Sequence, residues 1–336
     1  MKILITGGAG FIGSNLAAYY LQQGHTVTLY DNLSRNHVRE NIAWLETINK
    51  AKLTVLEKDV RDFDSLRFAV KGVEVIFHEA GQTAVTTSLV DPRHDFEVNA
   101  WGSFNVLEAV RAENPSAIVF FASTNKVYGG LPDVKLKLQG DRYVATEIDG
   151  ISEARPLDFH SPYGCSKGTA DQYIRDYSRS YNLKTVVFRQ SCIYGEHQFG
   201  VEDQGWVAHF AAQAIKNVPI SIFGDGKQVR DLLFIDDLVR GYDQALQNID
   251  RTAGDIFNMG GGVSNTASLI EVIRQLETRA HHPIPLVFTD ERVGDQKYYV
   301  SDVAKAKHIF GWEPKIDVAT GVDRLYTWLS NFLATK

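Results

Sequence analysis

The 336-residue sequence predicts an α/β protein, a doubly wound parallel sheet with helices on both faces and a smaller C-terminal part. Three observations predict it. Through about residue 190, short apolar runs alternate with helical periodicity, as in a parallel sheet fed by crossover helices. The first such run enters a helix through a glycine-rich turn. After residue 190 the strand-like pieces shorten and Gly/Pro turns become frequent.

The first strand is Lys2-Ile3-Leu4-Ile5-Thr6, a short apolar run of the buried parallel kind. It enters Gly7-Gly8-Ala9-Gly10-Phe11-Ile12-Gly13, and a helical pattern over 11–23 follows through Leu16, Ala17, Tyr20 and Leu21. Glycines at such a turn let the backbone approach a pyrophosphate, and the helix N-terminus adds N–H donors; this is the Rossmann-type arrangement. The second strand, 26–30, ends at Asp31-Asn32. An acid at that point accepts both ribose hydroxyls of NAD and repels the 2′-phosphate of NADP. Further strands are expected at 52–56, 73–78, 117–122 and 184–189, with helices at 62–70, 95–112 and 164–181.

Sheets of this kind bind ligands at the carboxyl ends of their strands. The candidate cofactor contacts are Gly7, Gly10, Phe11, Ile12, Gly13, Asp31, Asn32, Asp59, Val60, Ala80, Gln82 and Asn99, with Tyr163 and Lys167. The dinucleotide-binding domain is expected over 1–190, with segments from about 229–260 returning to it, and 191–336 forms mainly the substrate-binding part. Strand-like pieces there fall at 219–223, 229–235, 255–259 and 286–288. The segment 129–162 reads as a long connection without a clear apolar period, and a connection of that length is functional or carries small elements of its own.

Composition narrows the function classes. Apolar residues make up 44%, enough for a full core, and the net charge of −6 comes without a basic block. That argues against nucleic acid or an anionic membrane as the main partner. No apolar run approaches the roughly 18 residues needed to span a bilayer, and a chain that opens on a strand leaves no place for a signal peptide. Cys165 and Cys192 have no metal-like spacing, and His281-His282 lacks ligand-like neighbours, so no metal is expected and a cytoplasmic setting is.

Ser161-Pro162-Tyr163-Gly164-Cys165-Ser166-Lys167 sets a tyrosine four residues before a lysine at the start of a helical run. That spacing stacks the two on one helix face, and an ammonium beside a phenol favours the phenolate, a usable base. Taken alone the pair also fits a solvated surface contact. Thr124 ends the fifth strand, where its hydroxyl can hydrogen-bond a sugar hydroxyl or simply form a turn.

Taken together, Gly7/Gly10/Gly13, Asp31, Thr124, Tyr163 and Lys167 resemble the extended short-chain dehydrogenase/reductase family. The resemblance runs over essentially the whole chain, through Arg189–Gly195, Gly224–Asp231 and Arg292-Val293-Gly294-Asp295. It implies an NAD-dependent enzyme acting on a nucleotide sugar. Tyr163 would be the catalytic acid or base, Lys167 the holder of the nicotinamide ribose, and Thr124 the residue that orients the sugar. Arg230 and Arg292 would contact the diphosphate, to which guanidinium forks are suited. A surface ion pair is the other reading of either arginine.

The 4,6-dehydratases of that family follow the threonine with Asp and Glu, whereas Asn125 and Lys126 stand here and cannot act as that acid pair. The strings Ser123–Gly129, Asp158–Gly168 and Asp203–Val207 are similar to those of the CDP-paratose 2-epimerases, also called CDP-tyvelose epimerases. That likeness implies inversion at C2 of a CDP-linked hexose, of the paratose/tyvelose or glucose/mannose type, through a 2-keto intermediate with bound NAD. It adds Asn125, His160 and Gln190 to Thr124, Arg230 and Arg292 as expected substrate contacts. Glu79 and Gly81 depart from the small apolar residues usual in the broader family, and Gly130–Gly140 matches it poorly. A UDP-hexose 4-epimerase uses the same Thr/Tyr/Lys set, and a non-catalytic NAD sensor needs only the glycine turn. A homo-oligomer is expected.

Overall fold

The computed structural model describes residues 1–292 and 295–335; Val293 and Gly294 of the Arg292–Asp295 string, and the final Lys336, lie outside the described residues. Along the chain, β1 (Lys2–Thr6), α1 (Phe11–Gln22), β2 (Thr26–Asp31), α2 (Val38–Asn49), β3 (Leu53–Glu57), α3 (Phe63–Ala69) and β4 (Val75–His78) alternate strictly. Two short helices, α4 (Val85–Val90) and α5 (Pro92–Phe96), lead through a π-helical turn at Glu97–Trp101 into α6 (Gly102–Glu113). Then come β5 (Ile118–Thr124), the hairpin β6 (Leu136–Gln139) and β7 (Arg142–Ala145), α7 (Ser161–Tyr181), β8 (Lys184–Gln190) and β9 (Cys192–Tyr194). The remainder is α8 (Trp206–Lys216), β10 (Ile220–Phe223), β11 (Val229–Phe234), α9 (Ile235–Gln247), α10 (Ile249–Thr252) and β12 (Asp255–Met259). Beyond it lie β13 (Thr266–Ser268), α11 (Leu269–Ala280), β14 (Leu286–Thr289), β15 (Tyr298–Tyr299), α12 (Ala304–Phe310) and α13 (Val318–Ala334).

The chain forms two compact units. The first comprises Met1–Val127, Ser161–Arg189 and Val239–Phe257. Its sheet has seven strands in the order β12-β8-β5-β4-β1-β2-β3. β1 pairs in parallel with β2 from Lys2↔Thr26 to Thr6↔Tyr30, and with β4 from Ile3↔Val75 to Thr6↔His78. The strand order therefore reverses beside the C-terminal end of β1, the point at which sheets of this type bind ligands.

Both faces of that sheet are covered, which is why its central strands β1, β4 and β5 are buried along nearly their whole length rather than alternating. On one face Leu4, Ile76, Val119 and Phe121 pack with Val106, Val110, Ala170 and Ile174 of α6 and α7. On the other, Phe77 stacks on Tyr20 at 5.3 Å and meets Tyr242 edge-on at 5.4 Å, while Phe188 lies 4.7 Å from Tyr242. Each such side chain contributes roughly 1.5–3 kcal/mol on burial.

The second unit comprises Tyr128–His160, Gln190–Leu238 and the chain from Asn258 onward. β11 pairs with β9 and β15 in parallel and with β13 antiparallel, and β10 pairs with β14. α11 begins in a reciprocal cap between Ser268 and Glu271. The 129–162 connection carries the hairpin, docked through Tyr143 N–H to the Lys227 carbonyl (3.0 Å), the Tyr143 hydroxyl to Asp225 (2.8 Å) and Arg142 to Thr266 (2.7 Å). Its four-residue strands are too short and too polar to show a period. Among the described residues, no helix is long and apolar enough to cross a membrane.

Candidate active site

The turn after β1 is built for close approach. Gly7 has φ +67, and a side chain there would place its Cβ 2.7 Å from the Ala80 backbone nitrogen. Gly10 precedes α1 with no side-chain cap, so the first N–H groups of that helix, at Phe11, Ile12 and Gly13, are left for an anion. Asp31 ends β2 with its carboxylate accepting the N–H of Ala9 at 3.0 Å and of Leu33 at 2.8 Å. Burial raises its carboxyl above the usual range, against those two N–H groups and Arg35. Asp59 is held well below the usual range, chiefly by Arg61, and Asn32 donates to it at 2.9 Å. Val60, buried, follows it. These features suit a dinucleotide: a backbone concave to phosphate, an acid for the ribose, and the ends of β3 and β4 beside them.

The segment after β4 is tied down from behind. Gln82 N–H donates to Asn99 Oδ1 at 2.9 Å, and Asn99 Nδ2 donates to the Gln82 carbonyl, to Asp95 and to Ser166. The Gln82 amide is itself engaged by the Ala84 carbonyl and Asp95. The π-helical turn sets Asn99 among these partners, a placement typical of such turns at functional sites. Ser166 also donates to Asp95, a fully buried carboxylate. This network grips α7 at the residue next to Lys167.

Tyr163 lies in the first turn of α7, its N–H donated to the Ser88 hydroxyl at 3.1 Å. Its phenol is hydrogen-bonded to Thr124 at the end of β5. Burial pushes the phenol up to about 12, while Thr124 and Arg35 favour its ionised form and Asp95 opposes it. Lys167 is one helical turn on, its ammonium 4.2 Å from the centroid of the Phe121 ring. Burial brings that ammonium down to about 8. Thr124, Tyr163, Lys167 and the cofactor residues thus share the first unit. Asn125 follows Thr124 there and takes its hydroxyl at 3.3 Å.

His160, Gln190, Arg230 and Arg292 belong to the second unit. Arg230, buried, donates to Asp295 at 2.6 Å and to the Val229 carbonyl. Arg292 lies 3.7 Å over the Phe223 ring and pairs with Asp203 at 3.2 Å. Phe223, Arg292, Asp295, Gln228 and Tyr143 line one concavity of that unit. Gln190 is buried and His160 exposed. Reading the sequence left out Ser88, Asp95 and Asp171. Each is a common polar residue whose partner is remote in the chain, so no local spacing marks it. Among the described residues, no cluster of His, Cys, Asp or Glu could hold a metal ion.

The fold and the residues gathered at the ends of its strands define an NAD-dependent isomerase of nucleotide sugars. Residues 3–260 match the NAD dependent epimerase/dehydratase family, and the chain belongs to it. A CDP-paratose 2-epimerase of Salmonella typhi is 42% identical, over 98% of this chain and 100% of that protein. A putative UDP-glucose 4-epimerase of Methanocaldococcus jannaschii is 31% identical over 98% of each chain. The crystal structure of UDP-glucose 4-epimerase with UDP-glucose from Thermotoga maritima gives a TM-score of 0.85 at 29% identity, covering 99% of this chain and 100% of that one.

Proposed function

We propose that the chain is a nucleotide-sugar 2-epimerase that inverts C2 of a CDP-linked hexose. The observation that carries this reading is the 42% full-length identity to a CDP-paratose 2-epimerase, together with the strings around Thr124, Tyr163 and Asp203. Bound NAD supplies a hydride acceptor that gives the same hydride back, so the reaction is redox-neutral. Tyr163 takes the proton from the C2 hydroxyl as the C2–H bond breaks, leaving a 2-ketone. It returns the proton when the C2–H bond is rebuilt on the opposite face. Thr124 shares a hydrogen bond with that phenol and orients the sugar. Lys167 holds the nicotinamide ribose. Asn125, next to Thr124, carries an amide in place of the acid that loss of water needs.

Arg230 and Arg292 hold the diphosphate, and His160 and Gln190 contact the sugar. A ring over which Arg292 already lies, Phe223, suits a flat nucleobase. A second reading, a UDP-hexose 4-epimerase, draws on the relatives of that type at 31% identity. Incubating the protein with CDP-, UDP- and GDP-hexoses and identifying the product sugars separates the two. A C2 epimer from the CDP series supports the proposal, and a C4 epimer from the UDP series replaces it.

A homo-oligomer fits one surface of the first unit. Trp101, Tyr173 and Tyr181 are exposed on α6 and α7 and its approach, with Phe104 stacked on Trp101 at 5.4 Å. Exposed aromatics in such a row suit a second protein surface. Sedimentation of the purified protein tests this.

A further inference from the structure

β2 and β4 flank β1 in the sheet, so the loops that follow them leave on either side of the glycine turn. At its base the turn is wedged between the two. Gly7 N–H donates to the Tyr30 carbonyl at 2.8 Å, and a side chain on Gly7 would run into the Ala80 backbone. The turn is also fixed at Ala9, whose N–H goes to Asp31 and whose carbonyl accepts Nδ2 of the buried Asn41 at 3.0 Å. Farther out, Arg35 Nη2 donates to the Thr83 hydroxyl at 2.7 Å. That bond joins the loop after β2 to the loop after β4 and so spans the carboxyl end of β1.

The loop that carries Arg35 is held in a shape its sequence does not favour. Leu33 has φ +54, in the left-handed region that a side chain disfavours. Two side chains hold the bend. Asp31 Oδ1 accepts the Leu33 N–H at 2.8 Å, and Asn32 Oδ1 accepts the Ser34 N–H at 3.2 Å and its hydroxyl at 2.7 Å. Asn32 is in turn tied to Asp59 at 2.9 Å. Backbone strain of this kind gathers at ligand clamps. Its result here is an exposed guanidinium that reaches the loop on the other side of β1.

The pyrophosphate of NAD is dianionic. The glycine turn and the start of α1 offer it N–H groups and a partial charge of about half an elementary charge. Among the residues read as cofactor contacts, Lys167 is the one cation, and it is assigned to the nicotinamide ribose. Asp31 and Asp59 add negative charge to the same cleft. Arg35 favours the ionised forms of both Asp31 and Tyr163, which stand at the two ends of the dinucleotide's path. A cation over the middle of that path acts in this way on both.

We propose that Arg35 is a cofactor-binding residue: held by Thr83 across the end of β1, its guanidinium pairs with the pyrophosphate of NAD and closes the cleft over it. A guanidinium fork matches two phosphate oxygens at once. Thr83 is its positioning residue. The inference rests on the NAD site alone and stands whether C2 or C4 of the sugar reacts.

The test needs no sugar substrate. Protein freed of dinucleotide is titrated calorimetrically with adenosine, ADP-ribose, NAD and NADP. Arg35→Gln is expected to bind ADP-ribose, NAD and NADP roughly 10-fold or more weakly, the scale of a charge-assisted hydrogen bond, and adenosine as the parent does. Arg35→Lys restores part of the loss, because the charge returns without the fork. Thr83→Val keeps the shape, removes the hydroxyl and weakens the same three ligands by about 3-fold. The NAD affinity of the parent falls more steeply with added salt than that of Arg35→Gln. Unchanged NAD affinity in folded Arg35→Gln overturns the proposal. An equal loss for adenosine also overturns it, and makes Arg35 a support of the adenosine pocket. A loss confined to NADP overturns it by placing the guanidinium at the 2′-phosphate. If Arg35→Gln does not fold, Arg35→Lys and Thr83→Val are read by the same ratios.

Discussion

Arg189 and Asp171 meet through two hydrogen bonds of 2.9 Å, from Nε and Nη2, with both side chains buried. The same carboxylate accepts the Ser123 hydroxyl at 2.7 Å. Three elements are thereby joined at one point: β8 through Arg189, α7 through Asp171, and β5 through the residue before Thr124. The helix that carries Tyr163 and Lys167 is thus registered against the strand that carries Thr124. A fork of donors on a planar carboxylate fixes orientation as well as distance.

Asp171→Asn keeps the volume of that side chain but leaves the guanidinium of Arg189 buried without its counter-charge. Breaking one side of a buried pair costs about 3–5 kcal/mol. A denaturant-unfolding curve is expected to show a loss of that order. A variant as stable as the parent would mean that the pair does not anchor α7.

Tyr163→Phe removes the proton acceptor and keeps the ring. The ring's packing survives, so folding and NAD binding are expected to persist, while turnover falls by roughly 10²-fold or more, as for loss of a general base. Near-parental turnover in a folded protein that still binds NAD would remove Tyr163 from the chemistry.

The local parts of this site were legible in the sequence. The glycine turn, Asp31, Thr124 and the Tyr163/Lys167 pair each depend on neighbours within a few residues, and the turn chemistry and helix spacing show directly. What was not legible depends on pairing across the chain. The Asp95–Gln82–Asn99–Ser166 network joins residues up to 71 positions apart. The expected helix over 95–112 is interrupted by the π-helical turn at Glu97–Trp101, a five-residue stretch too short for a hydropathy period to register. The β6–β7 hairpin escaped for another reason. Its order comes from docking on Lys227, Asp225 and Thr266, which lie more than 80 residues away. Gln82, read as a cofactor contact, has its side-chain amide engaged by Ala84 and Asp95 and its backbone N–H and carbonyl engaged by Asn99.

We propose that Asp31 sets the preference for NAD. Its carboxylate is oriented by two backbone N–H groups at the strand end, where a 2′-phosphate would meet a negative charge. Asp31→Ala is expected to weaken NAD binding and to narrow the gap between NAD and NADP. Calorimetric titration of both dinucleotides checks this; equal affinity of the parent for the two would contradict it.

Glu79 gives stability a pH dependence of known sign. Burial raises its carboxyl from 4.5 to about 7, so the folded protein holds that proton more tightly than the unfolded chain. Its contribution is favourable below pH 4.5 and is lost as pH rises through about 7. Glu79→Leu escapes this loss, so its stability relative to the parent should grow between those two pH values by up to about 3 kcal/mol and then level off. Unfolding curves at pH 5, 6, 7 and 8 measure the difference. A difference that is flat across the series would mean that Glu79 titrates normally in the folded protein.

The reacting carbon is the sharpest prediction. An epimerase that removes hydride from C2 and returns it must keep that hydrogen, because a bound dinucleotide does not exchange hydride with water. An epimerase that abstracts a carbon-bound proton would instead exchange it with solvent through its base. Tyr163, hydrogen-bonded to Thr124 and buried, is suited to a hydroxyl proton rather than to a carbon acid. Asn125 and Lys126 at the strand end provide no acid pair for loss of water. Turnover of the CDP-hexose in deuterated water, followed by NMR of the product, is therefore expected to give inversion at C2 alone with no deuterium on that carbon. Deuterium at C2 would put proton abstraction in place of hydride transfer. Inversion at C4 would move the oxidised carbon and favour the UDP-hexose reading. Loss of the 6-hydroxyl would mean that some other residue supplies the acid which Asn125 and Lys126 do not.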